Sequence, residues 1–181
     1  MKHAKKRLRS HKSGFTMLEL IVVVAIILIL SGLLFPAILH LIEKAKKSRV
    51  RTQLHSIVAA AKSYKNEYGR WPGQKVQGVD FTTHHGDFIH DLTNNPRNLL
   101  FIEIDPTWVT GASINDTFVD AWGNDIYIAL DRDGDGDTHV KPTPKSGFAT
   151  LDHIVPNNTA AAVSWGNTPG NSDSLLNTWG L

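Results

Sequence analysis

Between Leu20 and Ile42 no residue carries a charge, and Leu20–Leu30 reads LIVVVAIILIL without interruption. Few folds admit such a run. At about 1.5 Å per residue, twenty helical residues span roughly 30 Å, the thickness of a bilayer's hydrocarbon core, so Leu20–Leu39 is long enough to cross a membrane. A core helix this uniformly apolar would need a large protein around it, and the chain has only 181 residues. The net charge of +2 hides an ordered pattern. Lys2, Lys5, Lys6, Arg7, Arg9 and Lys12 precede the run with no acid among them, seven bases and two acids fill 37–68, and six bases and fourteen acids fill 69–181. A basic tail leading straight into an apolar segment indicates membrane targeting rather than nucleic-acid binding.

An ordinary secretory signal has a small-residue cleavage site after its apolar run. Ser31-Gly32 and Pro36-Ala37 are poor versions of one. The informative residues lie before the run, in Ser13-Gly14-Phe15-Thr16-Met17-Leu18-Glu19. The stretch GFTMLELIVVVAIILIL resembles the amino-terminal signature of type IV pilin-like proteins, the pilins and the pseudopilins of type II secretion systems. The resemblance implies a basic leader, residues 1–14, cut between Gly14 and Phe15 by a prepilin peptidase, with N-methylation of the new Phe15 terminus. It places Glu19 at the family's assembly glutamate, the fifth mature residue, and Pro36 at a common helix-kinking proline.

Elementary electrostatics points the same way. A carboxylate at the end of a membrane helix is costly unless paired or at the interface, so intramembrane acids usually mark function. A free Phe15 amine on one subunit is a suitable counter-charge for Glu19 of its neighbour in the dry core of a fibre. The alternative is a Glu19 at headgroup level. Charge alone does not orient the span, because Lys44, Lys46, Lys47, Arg49 and Arg51 follow it closely. The resemblance places the leader inside the cell. The second basic cluster suits anionic headgroups, the acidic bodies of neighbours or a solvated helix face.

Apolar residues continue at helical spacing through Ile38, Leu41, Ile42, Val50, Leu54, Ile57, Val58, Ala61 and Tyr64 to Tyr68. One helix from about Thr16 to Tyr68, roughly 80 Å long, is expected, bent near Pro36 and ended by Gly69 and Pro72. Residues 73–117 read as a long loop with one helical turn beginning near Pro96. Ile126–Leu130, Phe148–Val155 and Thr159–Trp165 are β-prone and predict a small antiparallel sheet packed on the helix. The expected fold is therefore α+β and pilin-like: residues 15–39 as transmembrane and assembly helix, 40–68 as amphipathic stem, 69–181 as a periplasmic body.

Two body motifs narrow the resemblance. Asn66-Glu67-Tyr68-Gly69-Arg70-Trp71-Pro72 resembles the helix exit of major pseudopilins, and Asp120-Ala121-Trp122-Gly123-Asn124 resembles their Asp-Pro-Trp-Gly-Asn turn with Ala121 in place of proline. In that turn Asp120 is expected to cap with its carboxylate while Trp122 anchors the core. Asp131, Asp133, Asp135 and Asp137 then set carboxylates at every second residue, with Gly136 sixth in the run. Such a run repels itself without a cation, and its hard oxygen donors suit calcium. Pro142 at the twelfth position excludes an EF-hand, and Asp152 is a candidate further ligand. A solvated Asp-Gly turn is the competing reading.

His84, His85 and His90 lack metalloprotease spacing and read as loop residues. Without cysteine there is no thiolate nucleophile or Cys-based metal site, and no nucleophile elbow or phosphate loop occurs. The five tryptophans lie in the acidic part, away from the basic blocks, so no nucleic-acid partner is expected. The expectation is a non-enzymatic subunit of a type II secretion pseudopilus, anchored in the inner membrane. Its expected partners are prepilin peptidase, copies of itself, minor pseudopilins and the inner-membrane assembly platform. The alternatives are a type IV pilin of a surface or DNA-uptake fibre, and a membrane-anchored, calcium-dependent binding module that never polymerises.

Overall fold

The computed structural model describes residues 14–73, 85–110, 116–142 and 152–180. Helix α1 covers Met17–Tyr68 and continues through Pro36. The chain divides into two compact units, Met1–Glu43 and Lys44–Leu181. In the first, every described residue from Gly14 to Ile42 is exposed. An apolar helical surface of this kind is stable only in lipid or against other apolar helices.

In the second unit the stem part of α1 buries Val50, Gln53, Leu54, Ile57, Val58, Ala60, Ala61 and Tyr64, the three-and-four spacing of a single stripe. Gln53 is the polar member, and its Nε2 donates to the Val119 carbonyl at 2.9 Å. The helix stops at Gly69, whose φ of +68° is the left-handed cap conformation and whose N–H donates to Lys65 O at 2.8 Å. Trp71 follows immediately and is buried, with the Lys65 ammonium 4.2 Å from its ring centroid.

The region read as loop contains a helix earlier than expected. Helix α2 covers His85–Thr93 and buries Phe88 and Leu92, one helical turn apart, against the stem's cluster. Pro96 stands in a turn after this helix rather than at the start of one. Among the described residues the strands form three small antiparallel sheets, where one was expected. The first pairs β1 (Val109–Thr110) with β2 (Thr117–Phe118). The second has the order β3 (Ile126–Leu130), β6 (Ala160–Ser164), β7 (Leu176–Asn177). The third pairs β4 (Thr138–Val140) with β5 (His153–Val155). β5 realises only the end of the expected Phe148–Val155 strand, whose residues 148–151 lie outside the described ones.

Side-chain alternation in the second sheet explains the body's two cores. Ile126, Ile128 and Leu130 of β3 and Ala160 and Ala162 of β6 join the stem, Phe88 and Phe118. Ala129, Ala161 and Val163 point the other way, against Val140 and Val155 of the third sheet. β6 is buried on both faces, and its small side chains let both cores close over it.

Candidate functional site

Two places carry the candidate residues: the start of α1 and the loop after β3. At the helix start, Gly14, Phe15 and Thr16 are non-helical and exposed. Among the described residues a Cβ added at Gly14 meets nothing within 4 Å. Thr16 and Glu19 form a reciprocal cap. Thr16 N and Oγ1 donate to Glu19 Oε2 at 2.8 and 2.9 Å, and Glu19 N donates back to Thr16 Oγ1 at 3.2 Å. The cap holds the Glu19 carboxylate over the first turn, one residue from the nitrogen that cleavage would free. The sequence reading missed this cap, although Thr and Glu three residues apart before an apolar run are its signal.

Asp131–Asp137 joins β3 to β4. Asp131 is buried: its N–H donates to Thr159 O at 3.0 Å, its carbonyl accepts from the Trp71 indole Nε1–H, and its Oδ1 accepts from Gly134 N at 2.7 Å. Asp133 Oδ1 accepts from Asp135 N at 3.4 Å, and Asp135 Oδ1 from Asp137 N at 2.8 Å. Gly134 and Gly136 take φ of +83° and +91°, the left-handed bends that bring alternate carboxylates to one side. Carboxylate oxygens of Asp131, Asp133 and Asp135 lie within 4.8 Å of one another. Opposite ligands of a calcium ion at about 2.4 Å stand about that far apart, so these three oxygens fit one shell. Asp137 is placed differently, with Oδ1 accepting from Asn157 N at 2.9 Å. Asp152 pairs with Lys141 at 3.0 Å.

The Asp120 turn lies before β3 and acts as expected. The buried Asp120 carboxylate accepts from Trp122 N at 2.9 Å, Asn124 N at 2.8 Å and Ser164 Oγ at 2.6 Å, while Trp122 packs partly buried against the larger core. Ser164 comes from β6 and was not legible as a partner. The basic cluster after the span is partly engaged by the body, for Arg49 Nη2 bonds Asp105 Oδ2 at 3.1 Å and Thr107 Oγ1 at 2.7 Å. Thr107's N–H and hydroxyl, then the Arg49 guanidinium, hold the Asp105 carboxyl below its ordinary range. His84 and the side chain of His85 lie outside the described residues; His90 Nε2 is 3.1 Å from Asn94 Nδ2.

Residues 9–35 match the family model described as the prokaryotic N-terminal methylation motif. Over 132 residues, 72% of this chain and 83% of the relative, the sequence is 28% identical to type II secretion system core protein G of Pseudomonas aeruginosa. No solved structure matches. In its methylation motif, and over 72% of its length in the match to core protein G, the chain is thus similar to type IV pilin-like proteins of the type II secretion system.

Proposed function

We propose that the chain is a structural subunit of a type II secretion pseudopilus, made as a precursor and assembled through its amino-terminal helix. The observation that carries this reading is the similarity to core protein G, because its 132 residues extend well beyond the 27 of the methylation motif. The body's likeness favours a pseudopilin over a type IV pilin or a lone binding module. The role is one of packing rather than catalysis.

In this reading prepilin peptidase cuts between Gly14 and Phe15, and the Phe15 amine is methylated. The span holds the precursor in the inner membrane with its body in the periplasm, and the assembly platform adds it to a periplasmic fibre of its own copies and minor pseudopilins. Glu19, already turned back over the helix start by Thr16, meets a neighbour's Phe15 ammonium; a charge pair in apolar surroundings admits few registers. Asp131, Asp133 and Asp135, with Asp137 beside them, are proposed to hold calcium, which would neutralise three converging carboxylates and fix the loop between β3 and β4.

Intact-mass measurement on protein extracted from membranes tests the processing. The expected mass is that of residues 15–181 plus one methyl group, and a terminus beyond Pro36 would overturn the assignment. Glu19→Ala is expected to insert and be cut normally but to assemble poorly; normal fibres from it would remove the pairing step.

A further inference from the structure

The bases of the stem are gathered at its foot. Residues 44–51 read KAKKSRVR, five bases with no acid among them, and they begin two residues after the uncharged run ends at Ile42. Even with Glu43 counted, the stretch from 43 to 51 carries +4. Chain length alone keeps Lys44 within about 7 Å of Ile42, because an extended residue spans at most about 3.5 Å. Lys46 and Lys47 follow within one helical turn, about 5 Å along the axis.

What the body does with these bases narrows the partner. Among the described residues it takes Arg49 into an ion pair, with Asp105 at 3.1 Å, and leaves Lys44 and Arg51 exposed and Lys46 and Lys47 half-buried. At about 3.6 residues per turn, Lys44 and Lys46 stand on nearly opposite sides of the helix, with Lys47 between them. A protein neighbour covers one side of a helix, whereas a headgroup layer surrounds it. In the proposed orientation this segment crosses the membrane together with the body, and bases so close to a span weigh against that crossing. Their contribution therefore lies after insertion.

We infer that Lys44, Lys46 and Lys47 bind the phosphate groups of anionic phospholipids in the leaflet on the body's side, with Arg51 strengthening the attracting field. Lysine suits this position because its apolar stem can lie along the acyl boundary while its ammonium meets the phosphates. The inference rests on the membrane-anchored reading of the chain.

The chain has no cysteine, so Ala45→Cys gives one labelling point inside the segment. Full-length protein carrying a benzophenone there is reconstituted in vesicles of phosphatidylcholine with a minor share of phosphatidylglycerol and irradiated, and adducts on the 44–51 peptide are identified by mass spectrometry. Because only this peptide is read, the basic leader cannot produce the signal. Phosphatidylglycerol adducts should exceed that lipid's share of the bilayer several-fold, and high salt should reduce the excess. Lys44→Gln with Lys46→Gln and Lys47→Gln should remove it. Lys62→Gln with Lys65→Gln, bases of the same stem roughly 25 Å further on, should leave it unchanged. Adducts in the bulk lipid ratio, an excess that survives the triple exchange, or adducts to a second copy in place of lipid would each overturn the docking while the anchor reading stands. If the chain fails to enter the vesicles, the anchor reading itself fails and the docking falls with it.

Discussion

Two aspartate turns flank β3 and handle negative charge in opposite ways. Before the strand, Asp120 is buried and surrounded by donors of its own chain: Trp122 N and Asn124 N on one oxygen, Ser164 Oγ on the other. After it, Asp131, Asp133 and Asp135 accept one loop N–H each and otherwise face one another within 4.8 Å. The first turn is electrostatically complete and acts as a structural knot between the turn and the central strand. The second concentrates charge that its own backbone does not neutralise, which is how an oxygen-rich cation loop is built. Carboxylate count does not separate the two; the number and direction of donors does.

The largest effect should come from the complete turn. Asp120→Ala strands the Ser164 hydroxyl and two backbone N–H groups in a dry place, and should destabilise the body by about 3 kcal/mol or more, read as a drop in denaturant midpoint. Asp120→Asn, which keeps an acceptor oxygen, should cost clearly less. Equal losses for both would mean that charge rather than acceptor geometry holds the turn, and the comparison would collapse.

Next comes the loop. If calcium binds the folded body alone, a hundredfold excess over Kd stabilises it by about 2.7 kcal/mol. Thermal unfolding of the full chain in detergent should therefore shift downward when a chelator replaces calcium, and Asp133→Asn with Asp135→Asn should abolish the shift. Identical native curves in both conditions would make this a solvated turn. A finer cut separates Asp137 from its neighbours: because its Oδ1 is engaged with Asn157 N, Asp137→Asn should reduce the calcium shift less than Asp131→Asn does.

The smallest effect concerns Asp105, an exposed acid held below its ordinary range by Thr107 and Arg49. A depressed folded-state pKa contributes stability above the unfolded value, about 3.9 for Asp, which is lost as pH falls through the lower folded value. The stability difference between native chain and Asp105→Asn should thus stay level from neutral pH to about 5 and close below about pH 4. Salt should shrink it.

Local chemistry was the legible part of this molecule. The span, the stem's stripe, the Gly69 stop, the Asp120 cap and strands β3 and β6 all follow from spacing within a few residues. What escaped was set by distant partners. α2 is short and opens with His85 and Gly86, so its apolar pair Phe88 and Leu92 reads as helical only once a core is there to receive it. β4 has three residues and exists because β5 pairs with it. At the candidate sites the aspartate run was visible, whereas the turning of Asp137 toward Asn157, twenty residues on, and of Asp152 toward Lys141 depended on how the hairpin closes.

The place of β6 in the sequence has a consequence for when the body becomes a body. Ala160–Ser164 is the middle strand of its sheet, pairs with β3 across about thirty residues of chain, and supplies one face to each core. During synthesis the stem's apolar stripe emerges more than ninety residues before this strand, and until it arrives neither core can close. Folding is therefore late and dominated by long-range closure, a slow topology that leaves the stem uncovered until the strand arrives. A chain truncated before Ala160 loses not its tail but its centre.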